Sequence, residues 1–318
     1  MKTIFKKLSR STILFIILFI LIYAAVLSVV SPNFLTPYNV GIIFKQMSFI
    51  GIAALGQTLV LIIAGIDLSI GSTACLGGIF FALLMTQTGI PAIPSIFLVL
   101  AIGGAIGWLN GLLITRLNLT PFIVTLAVSE MCKGFVLVIT KGSTIQGITG
   151  NILILGQGML GAVPVPIIIF VLLCLLLTYI LRFTPFGREL FAIGGNAAAA
   201  RLVGIQVKKK TRFVYLLSGV FSAFGGIMIA CRYNSGQPTI GETWVMSSIT
   251  AAVIGGTSMS GGVGSAFGTF VGALLIQLLN NSIVVLNVSQ YWEQVMTGGV
   301  VLIAVIIDAV RTIARNRS

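Results

Sequence analysis

The chain has 318 residues, of which 57% are hydrophobic and only 8% are charged. About a quarter of the residues in a soluble globular protein are charged, so this composition excludes an ordinary soluble domain. Lys and Arg number 19 against six Asp and Glu, giving a formal net charge of +13, and there is no histidine. Because the sequence also lacks a Cys-x-x-Cys pair, we expect neither a zinc site nor histidine-based catalysis.

Apolar segments of about 20 residues, the length that crosses a hydrocarbon core of about 30 Å, recur along the chain. The first, 11–30, is longer than the apolar core of a signal peptide and predicts a retained helix, with a cleaved signal as the alternative. The pattern predicts an all-α polytopic membrane protein with one transmembrane domain over 1–318. The predicted spans are 11–30, 40–64, 69–86, 95–115, 121–140, 164–181, 212–231, 243–258, 264–285 and 290–309.

Two of these spans have unusual features. The second contains Lys45, Gln46 and Gln57 and is expected to be irregular, because such polar groups interrupt an apolar helix. The eighth is short and is interpreted as either a full span or a re-entrant segment.

The basic residues predict the orientation. Most of them lie in the segments 1–11, 116–120, 182–212 and 310–318, which a cytoplasmic N-terminus would place inside the cell. Loops rich in Lys and Arg favour the cytoplasmic side. We therefore expect both termini in the cytoplasm, and we attribute the net charge to membrane topology and not to nucleic-acid binding.

An internal similarity suggests a repeat. Residues 102–114 (IGGAIGWLNGLLI) align with residues 263–275 (VGSAFGTFVGALL), and each stretch contains two overlapping GxxxG patterns, which let helix backbones approach closely. The aligned glycines are Gly103, Gly107 and Gly111 in the first stretch and Gly264, Gly268 and Gly272 in the second. The pattern predicts an inverted repeat of spans 2–5 and 7–10 with the solute path between the halves; convergent packing of small residues is the alternative.

Few acidic residues lie within the apolar regions. Asp67, in the stretch GIDLSIGSTA, directly precedes a predicted helix, and Glu242 stands in the same relation to the eighth span. A carboxylate there can cap a helix N-terminus or take part in transport or gating. Glu130 and Lys133 are three residues apart in the fifth span and so share a helix face. They are interpreted either as a polar lining of the path or as an internal ion pair at the dimer or bundle interface.

The longest predicted cytoplasmic segment, 182–212, reads RFTPFGRELFAIGGNAAAARLVGIQVKKKTR. The piece NAAAARLVGI predicts a short helix that is capped by Asn196 and ends at Gly204. A helix of this kind suits docking in a groove of another protein, and a basic loop lying on anionic lipid headgroups is the alternative.

Three stretches carry a resemblance to a known family. They are GIDLSIGS (65–72), FGRELFAIGGNAAAARLVGI (186–205) and AAVIGGTSMSGGVGSAFGTFVGALLIQLLNN (251–281). Together they resemble the permeases of binding-protein-dependent ABC importers for ribose and related monosaccharides. The resemblance implies a ten-helix subunit of a bacterial inner or plasma membrane. It also implies three protein partners: a second permease copy, an ATP-binding subunit inside, and a sugar-binding protein outside.

The resemblance identifies 182–212 as the segment that couples the permease to the ATPase. The residues that match the coupling motif are Phe186, Gly187, Arg188, Gly194, Gly195, Asn196, Ala200, Arg201 and Gly204. The stretch NAAAAR departs from the family pattern, in which acidic residues are frequent. Because the chain has no GxxxxGK[ST] loop, we expect it to bind no cofactor, with ATP bound by the partner.

A sugar path would use hydroxyl, amide and aromatic groups. The candidates, beside the acidic residues and Lys133 above, are Gln57, Ser69, Trp108, Asn110, Ser247 and Ser248. Two other functional classes remain open. An ion-coupled secondary transporter would also fit an inverted repeat, and a membrane enzyme is disfavoured because no nucleophile and base pair is evident.

Overall fold

The computed structural model describes residues 12–289, 291–292, 295–296, 298–302 and 306. Most of these residues are helical. The α-helices are α1 (Thr12–Val30), α2 (Pro37–Ile62), α3 (Ile70–Thr86), α4 (Ala92–Leu117), α5 (Pro121–Thr140), α6 (Ile154–Gln157), α7 (Val165–Phe183), α8 (Pro185–Gly195), α9 (Ala197–Leu202), α10 (Val207–Tyr233), α11 (Trp244–Ile254) and α12 (Ala266–Val285).

Four two-residue strands and a short 3-10 helix (Asn151–Leu153) complete the described elements. The strands are β1 (Ile145–Gln146), β2 (Met159–Leu160), β3 (Val163–Pro164) and β4 (Ser235–Gly236). β1 pairs antiparallel with β4, with Ile145 opposite Gly236, and β2 pairs antiparallel with β3. The β1–β4 pair therefore fastens the connection between α5 and α7 to the end of α10.

Seven described helices are long and apolar enough to cross a membrane, namely α1, α2, α4, α5, α7, α10 and α12. α3 has 17 residues and α11 only 11. At 1.5 Å per residue α11 is about 16 Å long, half of the hydrocarbon core, so it does not cross alone. The fold is that of a polytopic all-α membrane protein. Half of the tenth predicted span, 290–309, lies outside the described residues, so the count of ten stays a prediction.

Several helices begin where local sequence favours a start. Proline occupies the first turn of α2, α5, α7 and α8, where its missing N–H leaves no helical hydrogen bond unmade. Thr36 caps α2 by accepting a hydrogen bond from Asn39 N at 3.3 Å, and Ser265 caps α12 by accepting one from Gly268 N at 3.1 Å. These boundaries lie within a few residues of the predicted spans.

α10 is the central helix, and it packs along α4, α3 and α2. Small residues bring its backbone close to that of α4. A Cβ added at Gly107 would overlap the carbonyl oxygen of Tyr215, and one added at Gly219 would overlap that of Gly103. A Cβ added at Gly111 would overlap the Cα atom of Arg212. The first set of predicted glycines therefore lies in the α4–α10 contact.

The second set of predicted glycines lies elsewhere. Added Cβ atoms at Gly268 and Gly272 would overlap the carbonyl oxygens of Gly255 and Ala251, so these two glycines bring α12 against α11 and its end. Gly264, just before α12, lies against a side chain of α2. The two sets thus pack on different helices, and the internal repeat stays a prediction.

The second predicted span is a continuous helix, so the expectation of irregularity was wrong. Neighbouring groups accommodate two of its polar residues: Lys45 Nζ donates to the carbonyl oxygen of Gln157 at 3.3 Å, and Gln277 Nε2 donates to Gln46 Oε1 at 2.7 Å. The side chain of Gln57 is fully buried and has no hydrogen-bond partner among the described residues.

The outer helices expose large apolar side chains. Phe15 on α1, Val138 on α5 and Leu172 on α7 are 63%, 75% and 60% exposed. Such surfaces are stable in lipid and unstable in water. The buried polar groups described below, such as Asp67 and Asn110, are therefore enclosed by a lipid-facing shell.

Candidate translocation path and coupling segment

Asp67 lies in the turn before α3, three residues ahead of Ile70, and is only 1% exposed. Its Oδ1 accepts hydrogen bonds from the backbone N of Ser69 at 2.9 Å and from Ser69 Oγ at 2.6 Å. Its Oδ2 accepts one from Ser218 Oγ on α10 at 2.7 Å. The carboxylate therefore ties the turn before α3 to the central helix, and its contacts reach Ser69 and not the first residues of α3.

The turn that carries Asp67 is held on other sides as well. Asn110 Nδ2 on α4 donates to Ser69 Oγ at 2.9 Å, and Thr125 Oγ1 on α5 accepts from the backbone N of Leu68 at 3.1 Å. The Tyr215 hydroxyl on α10 donates to the carbonyl oxygen of Ile66 at 3.2 Å. Three helices thus meet at this turn, which we call the Asp67 junction (residues 63–69).

The structure brings the predicted residues Asp67, Ser69 and Asn110 into one hydrogen-bonded group. Sequence reasoning missed Ser218 and Thr125, the partners on α10 and α5. Ser218 belongs to the pattern of small residues on α10, and that pattern alone does not distinguish a hydrogen-bond donor from a packing residue.

Glu130 and Lys133 form an ion pair of 2.7 Å on α5, and their side chains are 62% and 55% exposed. The pair is therefore not internal to the bundle of one chain, and its place at a dimer interface or along the path stays a prediction. Both groups lie on the outer surface of a helix that is long and apolar enough to span the membrane. Because charges are costly in hydrocarbon, this face of α5 requires a polar or protein environment.

Lys133 also borders a cavity of about 400 Å³ between α3, α5 and the segment 238–246. Glu242 lines the same cavity, together with Ser72 and Ser129. Glu242 is exposed, and within the described residues it forms no hydrogen bond with α11, so it does not act as a helix cap. A Lys and a Glu predicted separately for the path therefore border one cavity.

The other predicted path residues are dispersed. Ser247 and Ser248 are buried on α11, where Ser248 Oγ donates to the carbonyl oxygen of Val245 in its own helix. Gln57 is buried on α2. Trp108 is 46% exposed on α4 and borders a different cavity near α8. The hydrogen bonds of the described residues do not link these four side chains to the Asp67 junction.

A second polar region lies at the opposite end of the α2–α12 contact. Asn39 and Asn281 exchange two amide hydrogen bonds, of 3.0 and 2.8 Å, and Gln46 and Gln277 are joined by one of 2.7 Å. These four residues, which we call the amide ladder, border a cavity of about 420 Å³ that is also lined by aromatic side chains. Sequence reasoning missed the amide ladder, although its residues lie seven apart on α2 and four apart on α12, each set on one helix face.

The segment predicted to couple the chain to an ATPase forms two short helices, α8 and α9. Asn196 Oδ1 accepts hydrogen bonds from Ala198 N and Ala199 N, both at 3.0 Å, so the predicted N-cap of α9 is confirmed. Gly204 has a φ of 89°, which favours glycine, and ends this piece as expected. Gly187 fits tightly against the backbone of Leu181, which allows a sharp turn from α7 into α8.

The end of α8 lies against the backbone of two other segments. A Cβ added at Gly194 would overlap the carbonyl oxygen of Ile62 and the backbone N of Gly262. Gly262 N in turn donates to the carbonyl oxygen of Ile62 at 2.9 Å. We call this contact of α8, the end of α2 and the loop 255–265 the glycine junction. By contrast, a Cβ added at Gly195 would meet no atom within 4 Å.

The outer side of α8 and α9 is exposed. Leu202 and Val203 are 90% and 77% exposed, and Arg188 and Arg201 are also exposed. Phe186 is half-buried, and Ala200 is buried at 3%. Exposed apolar side chains together with cations are typical of surfaces that contact other proteins, and contact of this segment with a partner stays a prediction.

A protein-family model described as "Branched-chain amino acid transport system / permease component" matches residues 39–305 of this chain. The ribose import permease protein RbsC of Bacillus subtilis (strain 168) is 40% identical over 296 residues, which cover 92% of this chain and 91% of the relative. The protein of the same name from Haemophilus influenzae is 39% identical over 298 residues, which cover 92% of this chain and 91% of the relative.

The D-allose transport system permease protein AlsC of Escherichia coli (strain K12) is 33% identical over 288 residues, which cover 90% of this chain and 88% of the relative. No solved structure matches the chain. The chain belongs to this family of transport-system permease components, and the resemblance carried by its sequence motifs is confirmed.

Proposed function

We propose that this family member is the transmembrane permease subunit of an ATP-driven importer that moves a monosaccharide, ribose or a similar sugar, into the cell. The observation that carries the proposal is the 40% identity, over 92% of the chain, to a permease named for ribose import. The chain performs no catalysis in this proposal. A separate subunit binds and hydrolyses ATP.

The ATPase docks on α8 and α9. Leu202 and Val203 enter a groove of the partner, and Arg188 and Arg201 pair with its acidic groups. This assignment is supported by the exposure of the four side chains and by the match of Arg188 and Arg201 to the family's coupling motif. The two short helices are therefore the coupling segment of the importer.

Movement of the coupling segment reaches the membrane helices through the glycine junction. Gly194 lies against the backbone of Ile62, and the Asp67 junction begins at the next residue. Because backbone contacts without intervening side chains cannot yield, displacement of α8 displaces residues 63–69. The hydrogen bonds of that turn then carry the displacement to α4, α5 and α10.

The coupling segment lies in the cytoplasm of a bacterium, with both termini on the same side of the inner or plasma membrane. The basic residues of 182–212 support this orientation through the preference of positive loops for the cytoplasm. In this orientation the amide ladder faces outward, where a sugar-binding protein delivers its ligand. The cavity beside the ladder is the entry site.

Two copies of the permease form the transport unit. The exposed Glu130–Lys133 pair on α5 supports this, because a second copy or a water-filled path shields the charges from lipid. The cavity of about 400 Å³ that Lys133 and Glu242 border opens beside this face. In the dimer the sugar passes along the α5 face.

The test is reconstitution of the chain with its ATPase and binding protein in liposomes. We expect uptake of radiolabelled ribose that requires ATP and all three components. Uptake by the permease alone, driven by an ion gradient, would contradict the proposal and establish a secondary transporter. A thermal-shift screen of the binding protein against ribose, allose, xylose and arabinose identifies the sugar.

The coupling assignment has its own test. Arg201→Glu reverses an exposed charge on α9 without touching the packed core, so we expect ATP hydrolysis to continue while sugar uptake is lost. Lys141→Glu, an exposed change in the turn after α5, is the matched control and should transport normally. Unchanged uptake by Arg201→Glu would show that α9 does not couple the two subunits.

A further inference from the structure

A cavity of about 640 Å³ lies between α4, α8 and the first turns of α10. It borders the coupling segment, but its walls also include Trp108 on the outer side of α4 and Phe213 on α10. These two aromatic side chains are 46% and 45% exposed, and Leu109 beside Trp108 is 38% exposed. Such exposed apolar groups on a membrane helix face lipid, so the cavity is open towards the bilayer.

The lining residues of α10 change character along the helix. Lys209, Phe213 and Leu216 are spaced four and three residues apart and therefore lie on one face. From Lys209 to Leu216 the helix rises about 10 Å, so the face passes from cationic to apolar within two turns. A phospholipid has the same profile, with a charged headgroup followed by an acyl chain.

The charged part of the cavity has an excess of positive groups. Lys210 is paired with Glu189 of α8. Arg212 Nε donates to Thr115 Oγ1 at 2.7 Å, which leaves the terminal N–H groups of the guanidinium available. Lys209 is exposed and has no hydrogen-bond or ion-pair partner among the residues that the structure describes. The cavity thus contains two cations without an ion-pair partner among the described residues, Lys209 and Arg212, beside the Lys210–Glu189 pair.

We propose that this cavity is a binding site for an anionic phospholipid. The phosphate headgroup binds Lys209 and Arg212, and the acyl chain lies along Trp108, Phe213 and Leu216. Basic pockets between membrane helices bind anionic headgroups, and each juxtamembrane cation attracts an anionic membrane surface. Free phosphate would satisfy the same cations, but it would leave the aromatic and aliphatic wall uncovered. The proposal does not depend on which solute the permease carries.

Trp108 is a reporter placed in the site itself. The full-length chain in phosphatidylcholine nanodiscs is titrated with phosphatidylglycerol that is brominated on its acyl chains, and tryptophan fluorescence is recorded. We expect saturable quenching that is lost in Trp108→Phe. Trp244, which is buried at 4%, supplies an unquenched background. Trp292, which is 56% exposed, supplies quenching that the Trp108→Phe variant retains, so the site is read from the difference between the wild-type and Trp108→Phe curves. Brominated phosphatidylcholine at the same mole fraction should quench less and without saturation.

The charge requirement is tested with Lys209→Gln. Removal of one juxtamembrane cation should raise the phosphatidylglycerol fraction at half-quenching about fivefold. Lys141→Gln, which removes an exposed lysine after α5, is the matched control and should leave the curve unchanged. Because both side chains are exposed, neither change should disturb folding.

Three results would overturn the proposal. Equal quenching by the two brominated lipids would indicate ordinary boundary lipid, and so would an unchanged curve for Lys209→Gln. Relief of quenching by inorganic phosphate would assign the cations to a soluble anion. Loss of quenching after assembly with the ATPase would make the cavity part of the subunit interface.

Discussion

The two ends of the α2–α12 region are held by different chemistry. At the α8 end, Gly194, Ile62 and Gly262 meet backbone to backbone, and no side chain intervenes. At the opposite end the amide ladder joins the helices through side-chain amides, including the Asn39–Asn281 pair. Between them, Thr58 Oγ1 and Thr269 Oγ1 share a hydrogen bond of 2.6 Å.

The glycine junction is therefore a rigid contact, and the amide ladder is a contact whose hydrogen-bond partners can be exchanged. A backbone contact at van der Waals distance cannot shorten, so it transmits displacement. An amide pair can exchange its partner for a sugar hydroxyl of similar hydrogen-bonding strength at modest net cost. We therefore expect α2 and α12 to separate first at the amide ladder, while the glycine junction moves as a unit with α8.

The largest expected effect comes from Gly194→Ala. The added methyl group would overlap the carbonyl oxygen of Ile62, and overpacking of this kind costs about 3 kcal/mol. We expect loss of most ATP-driven uptake and a lower melting temperature of the purified permease. Gly195→Ala is the matched control because its methyl group enters open space. Equal activity of the two variants would show that the glycine junction is not a rigid contact.

Ser218→Ala tests the hydrogen bond that joins the Asp67 junction, which follows the glycine junction in the chain, to α10. It removes the hydroxyl that donates to Asp67 Oδ2, and loss of a hydrogen bond to a buried carboxylate costs about 2 kcal/mol. Ser222→Ala, one turn further along α10, removes only a hydrogen bond to the carbonyl oxygen of Ser218. The free energy of unfolding, measured in denaturant, should be lower for Ser218→Ala than for Ser222→Ala. If Ser222→Ala is equally destabilising, the Asp67 contact has no special importance.

The hydrogen bonds of the amide ladder should contribute less to stability than the contact between Ser218 and Asp67. A double-mutant cycle of Asn39→Ala and Asn281→Ala measures the coupling of the pair, which we expect to be about 1 kcal/mol, since hydrogen bonds between membrane helices are weak. Asn280→Ala is the control in the neighbouring position, because Asn280 has no hydrogen-bond partner among the described residues. A coupling energy as large as the stability loss in Gly194→Ala would show that the amide ladder is as rigid a contact as the glycine junction.

The smallest change in the free energy of unfolding is expected at Ala64, next to the glycine junction. Unlike the substitutions above, this one should stabilise the protein. Ala64 has a φ of 58°, a conformation that glycine adopts without steric strain. Ala64→Gly should therefore raise the free energy of unfolding by about 0.5 kcal/mol after the entropic cost of glycine is subtracted. A decrease in the melting temperature would show that the Ala64 methyl group stabilises the junction by packing.

Much of the fold could be predicted from the sequence, because apolar run length and proline or cap residues act locally. The Asn196 cap and the turn at Gly204 are examples, since each depends on residues within one helical turn. The grouping of Asp67 with Ser69 could be anticipated for the same reason. The irregular second span was mispredicted because the partners of its polar residues, such as Gln277, are remote in sequence.

The rest of the site depends on contacts between distant segments. Ser218 is 151 residues from Asp67, and Asn281 is 242 residues from Asn39. A serine or asparagine in an apolar helix has several possible partners, and only the packing of glycines on α4, α8 and α12 selects among them. The amide ladder and the glycine junction could not be derived without that packing.

The shortness of α11 has a consequence for membrane insertion of the newly made chain. Its 11 residues cover about half of the hydrocarbon core, so α11 cannot partition into the bilayer as an independent span. The polar backbone of the following loop needs the cover that α12 and α2 provide in the finished bundle. Stable integration of α11 therefore has to wait until α12 has left the ribosome, and a chain truncated before residue 266 should leave this segment outside the hydrocarbon core.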